Sequence, residues 1–130
     1  MAVAAEPVLM TVEQYRQLAY RTLPEYDLRG ADVAYVSRQR WDATDDDDNL
    51  HGSPEIVIEV LSPSNTRAEI HEKAVLCLSS GALEFWVVDP KRETVSVTQQ
   101  SGAPTFYRLG DRIPLSMFDT DLDVSEIFRI

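Results

Sequence analysis

Residues 56–61 read Ile-Val-Ile-Glu-Val-Leu, and this run constrains the fold more than any other part of the chain. Apolar side chains at both odd and even positions leave no face for water. Only an interior strand, covered above and below, is commonly built this way. Glu59 breaks the run. A lone ionised carboxylate is costly to bury, so this one needs a cation, a metal or a proton.

The residues after the run complete a unit. Ser62-Pro63-Ser64-Asn65 is turn chemistry. Thr66 then caps a helix, with Glu69 as its reciprocal partner. Ile70, Ala74, Cys77 and Leu78 recur at helical spacing as its apolar face, and Gly81 supplies a left-handed stop. Residues 84–88, Glu-Phe-Trp-Val-Val, read as a second buried strand. Strand, capped helix and strand form a βαβ unit, with the two strands expected in parallel.

The other elements surround this unit. Residues 94–99 and 105–109, separated by Ser101-Gly102, read as an antiparallel hairpin. Val33 and Tyr35 mark a strand within residues 26–36. Thr11 and Gln14 begin a short helix over 11–18, and the apolar residues scattered through 113–130 are expected to pack back on the sheet. The class is α/β with a mixed sheet, and 130 residues suffice for one domain, 1–130.

Charge narrows the function. Twelve basic against 22 acidic side chains give −10, which argues against gripping nucleic acid through bulk electrostatics. Asp42, Asp45, Asp46, Asp47 and Asp48 supply half of that charge. They read as a solvated, self-repelling loop, because the alternating ligands and turn glycine of a calcium loop are missing. No stretch approaches the length of a membrane span. The apolar N-terminus has no basic residue ahead of it, so a cytoplasmic protein is expected. A single cysteine, Cys77, agrees with a reducing compartment.

Three residues carry the chemistry. Strand parity puts Glu55, Val57, Glu59 and Leu61 on one face, with Glu55 and Glu59 about 13 Å apart, too far to share an ion. Asp32, with Ala34 and Val36 on its side of the neighbouring strand, converges on Glu59 if the two strands are adjacent. Two carboxylates plus water make a magnesium site. Lys73, at the edge of the helix's apolar face, can reach Glu59. Two readings stay open here: a structural Glu59–Lys73 ion pair, or a metal-dependent hydrolytic centre. His51 and His71 form no zinc pattern. Ser62 and Ser64 suit a loop and helix cap better than a nucleophile, and Trp41 and Trp86 suit packing better than base stacking.

The runs Pro54-Glu55-Ile56-Val57-Ile58-Glu59-Val60-Leu61-Ser62-Pro63-Ser64, Glu72-Lys73, Gly81 and Glu84-Phe85-Trp86-Val87-Val88-Asp89-Pro90 resemble the Uma-type restriction endonuclease family. Upstream, the likeness includes Arg29-Gly30-Ala31-Asp32-Val33-Ala34-Tyr35-Val36. Downstream, it reaches Val124-Ser125-Glu126-Ile127-Phe128. The resemblance implies the PD-(D/E)xK nuclease fold, a mixed sheet flanked by helices, cutting DNA with Mg²⁺, or Mn²⁺ in its place. By position, Asp32 and Glu59 correspond to the metal-binding acids. Leu61 stands where a standard nuclease of the fold has lysine, and Lys73 matches the lysine that the Uma-type pattern places on the following helix.

Departures accompany the match. Ala31 stands in place of a proline, Glu55 of an aspartate and Cys77 of a tyrosine. The hairpin and long helix that usually come after the first helix are not recognisable, and the spacing of Glu13 and Glu25 does not mark either as a replacement for the acidic residue carried there. A shortened sheet cover suggests a homodimer. Two functions are compatible with these residues: a Mg²⁺-dependent DNA endonuclease using Asp32, Glu59 and Lys73, or a non-catalytic module that keeps the fold for interaction or regulation.

Overall fold

The structure, a computed structural model, describes residues 7–9, 20–21, 28–29, 31–45 and 50–129. The helix expected over 11–18 lies outside them. Among the described residues the strands are, in chain order, β1 Pro7–Leu9, β2 Tyr20–Arg21, β3 Leu28–Arg29, β4 Val33–Ser37, β5 Leu50–His51, β6 Ile56–Val60, β7 Glu84–Asp89, β8 Thr94–Gln99, β9 Thr105–Arg108, β10 Arg112–Leu115 and β11 Thr120–Asp123. The helices are α1 Arg38–Ala43, α2 Arg67–Ser79 and α3 Val124–Phe128.

The main sheet has six strands in the order β1-β4-β6-β7-β8-β9. The apolar run is β6, and it lies inside the sheet, as its two-faced pattern requires. It pairs in parallel with β7, Ile56 opposite Glu84 and Val60 opposite Val88, while the remaining pairings are antiparallel. A parallel pair needs a crossover, and α2 provides it. Thr66 accepts from the Glu69 amide at 3.1 Å while Glu69 reaches back to the Thr66 amide, the expected capping box. At the other end, Gly81 takes φ 107°. There the Ala82 amide donates to the Cys77 carbonyl at 3.0 Å, closing the helix where the sequence marks its end.

Two cores result. On the α2 face, Ala34, Val36, Val57 and Phe85 meet Cys77, Ile70, Ala74 and Leu78. On the opposite face, Ile56, Trp86, Val95 and Val97 meet Ile113 and Val124. The C-terminal residues thus do pack back, as a β10–β11 hairpin followed by a short helix. Burying a side chain such as Phe85 or Val57 contributes about 1.5–3 kcal/mol.

The strand expected within 26–36 is β4, Val33–Ser37, while β3 before it pairs with β2 in a separate sheet. One expectation needs correction. The aspartate-rich segment is not loop from its start, because Asp42 lies within α1. Ser37 caps that helix by accepting from the Arg40 amide, and one acidic residue does not outweigh a cap already in place.

Candidate active site

Register brings the site together. Val33 sits opposite Ile58 in the antiparallel β4–β6 pair, so Asp32, one residue before Val33, arrives level with Glu59. Ala34, Val36 and Val57 all face α2, and alternation puts Asp32 and Glu59 on that same face. Asp32 sits in the bend that opens β4. Its Oδ2 accepts from the Val60 amide at 2.8 Å, so a side chain continues the ladder where the β4 backbone stops.

Glu59 is buried, with 7% of its surface exposed. Lys73 Nζ lies 2.5 Å from its Oε1, yet that oxygen has no hydrogen-bond partner of acceptable geometry. The two observations are compatible. Charge contact needs only proximity, whereas a hydrogen bond also needs alignment, so the ammonium offsets the charge of this oxygen from a position off the ideal donor direction. Burial raises the Glu59 pKa above the usual carboxylate range. Lys73 opposes the rise, while the neighbouring Asp32 carboxyl adds to it.

Asp32, Glu59 and Lys73 are therefore adjacent. Glu55 is not part of the group. It pairs with the Arg40 guanidinium, and its Oε2 accepts from the Ser37 amide at 2.5 Å. Arg40 also donates to the carbonyls of Ser53 and His51, each at 2.9 Å. Arg40 thus serves as a bracket between α1 and residues 51–55. Ser62 closes a turn on Asn65 Oδ1, its amide at 2.8 Å and its hydroxyl at 3.0 Å, and so belongs to the helix entry. Trp86 packs in the core and donates from Nε1 to Glu84 at 2.9 Å. Glu84 also accepts from Gln99 Nε2 at 2.9 Å, making a buried acid that sequence reasoning misses. The i, i+2 spacing of Glu84 and Trp86 on one strand face is the available signal.

A divalent cation fits the donor set. Two carboxylates on adjacent strands converge, and the buried Oε1 lacks an aligned donor. Magnesium is usually held by one or two protein carboxylates with water completing the shell. No cluster of three His, Cys, Asp or Glu side chains able to hold an ion occurs among the described residues, where Asp32 and Glu59 stand as a pair. Among the same residues, no helix is long and apolar enough to cross a membrane.

No protein of curated function matches the chain. A crystal structure described as a putative nuclease belonging to DUF820, from Anabaena variabilis, is similar with a TM-score of 0.75. The match covers 94% of this chain and 68% of that one, at 17% identity, a likeness of fold. The family model described as putative restriction endonuclease matches residues 12–125, spanning both strands and the helix of the site. The chain belongs to this family, Uma2.

Proposed function

We propose that the protein is a metal-dependent DNA endonuclease, with Asp32, Glu59 and Lys73 as its working residues. The observation that carries this reading is the meeting of two carboxylates, one of them buried and under-satisfied, with a lysine from the crossover helix. Asp32 and Glu59 would hold Mg²⁺, or Mn²⁺ in its place, and when bound the ion supplies charge neutralisation at the phosphate and a more acidic water.

The chain's own residues do the rest. Asp32 is fixed by the Val60 amide, which orients its carboxylate toward Glu59. Lys73, as an ammonium, donates hydrogen bonds and accepts none. Its part is to position the attacking water and to stabilise negative charge developing on the phosphodiester. The water oxygen bonds to phosphorus and loses a proton to solvent, the bond to the leaving oxygen breaks, and that oxygen takes up a proton from solvent. Leu61 provides no second cation in the strand. A homodimer in the cytoplasm completes the reading, and sedimentation equilibrium tests the assembly.

The alternative is a non-catalytic module. The −10 charge and the want of a third ligand among the described residues favour it. Purified protein incubated with plasmid and single-stranded DNA in Mg²⁺ or Mn²⁺ separates the two, with Glu59→Ala prepared identically. Cleavage by wild type alone supports the enzyme. Equal cleavage, or none from two folded proteins, supports the module.

A further inference from the structure

Beside the trio, on the same sheet face, a groove of about 840 Å³ runs between α2 and the β8–β9 hairpin. One cross-strand row links them: Glu59 pairs with Val87, Val87 with Ser96, and Ser96 with Phe106. Three inter-strand spacings of about 4.8 Å put Phe106 roughly 14 Å from Glu59 along that row. Val87, Ser96 and Phe106 all line the groove.

Two features of the lining are not explained by packing. Phe106 is 71% exposed, an aromatic ring laid open on an edge strand. Among the described residues the lining also contains no carboxylate, and its ionisable side chains are Arg67 and His71. Arg67 is exposed and forms no ion pair with a described residue. Arg108, two residues beyond Phe106 on β9 and so on the same face, is also exposed.

We propose that this groove takes an unpaired DNA strand, with a base stacked on Phe106 and the backbone passing Arg67 towards Glu59. The proposal rests on the nuclease reading and deepens it by naming the form of DNA. The one fixed charge of the lining, Arg67, is opposite in sign to a phosphate, and the apolar floor suits base faces, which a duplex keeps stacked inside. An acidic chain cannot rely on the many phosphate contacts that hold a duplex. Single strands are held by a few cations plus aromatic stacking, which is what this groove offers.

The test is fluorescence anisotropy with labelled oligothymidylate and a duplex of equal length, in EDTA, using full-length Glu59→Ala protein so that nothing is cut. The single strand should bind more tightly than the duplex. Adding Phe106→Ala should weaken single-strand binding about tenfold, with Phe106→Trp retaining it. Arg67→Ala should reduce the salt slope by about 0.7, one phosphate contact. Unchanged binding in Phe106→Ala, at an unchanged melting temperature, overturns the proposal. So does a Phe106→Ala protein that loses self-association and keeps its DNA affinity, which would make the groove a contact between copies. Because binding is read without catalysis, a protein that binds but never cuts defeats the nuclease reading alone. One that cuts but ignores Phe106 defeats the groove alone.

Discussion

Two glutamates at opposite ends of β6 each meet a cation from a helix, and they have opposite characters. Glu55 is enclosed by donors: the Arg40 guanidinium and the Ser37 amide hold its oxygens, and Arg40 is itself tied to two carbonyls. Glu59 has Lys73 in charge contact, an oxygen without an aligned donor, and another carboxylate alongside. The first arrangement fastens α1 to the strand. The second leaves a buried oxygen in charge contact but without an aligned donor, the observation on which the proposed cation site rests. Ion pairing alone does not distinguish the two; the count of aligned donors does.

Mutating each end should sharpen the contrast. The largest effect expected is on cleavage: Glu59→Ala should reduce the Mg²⁺-dependent rate about a hundredfold or more, and Lys73→Met by a similar factor, measured as initial rates on plasmid. Glu55→Ala should leave the rate per folded molecule alone. It should instead cost about 3 kcal/mol in urea unfolding, the low end for a broken buried pair because Arg40 is a third exposed. If Glu55→Ala lost activity without losing stability, the division between the two ends would collapse.

Metal should stabilise one end only. Saturating Mg²⁺, at about a hundred times its dissociation constant, should add roughly 2.7 kcal/mol to wild type and nothing to Glu59→Ala, read as a shift in melting temperature. The smallest effect concerns pH in the absence of metal. A carboxyl whose folded pKa exceeds its unfolded value binds more protons when folded, so its favourable contribution is full below the unfolded pKa and is lost as pH rises through the folded one. For Glu59 that loss begins near the ordinary 4.5 and extends upward. The stability of wild type relative to Glu59→Gln should therefore fall as pH rises across that range, and a flat difference would contradict the burial argument.

Much of this is legible in the chain. The two-faced run marks an interior strand, the Thr66 cap and Gly81 bound the crossover helix, and alternation gives the face of Asp32 and of Glu59 on their strands, because each signal is local or has a fixed period. What stays hidden depends on long-range pairing. Nothing near Arg40 in sequence announces that it reaches Glu55, fifteen residues away. The α1 helix is six residues long with no buried side chain, so it leaves no periodic trace. The groove is likewise invisible until register brings Phe106 into line with Glu59.

The Asp32–Val60 hydrogen bond has a spectroscopic consequence. The Val60 amide is held by a side chain instead of a neighbouring strand, so its resonance and its exchange with solvent water are tied to the state of one carboxylate. Recruitment of the Asp32 oxygens by an ion should register at that single amide while the rest of β6 keeps its signature. Val60 thus acts as an intrinsic indicator of occupancy, readable by nuclear magnetic resonance in a protein that has cut nothing.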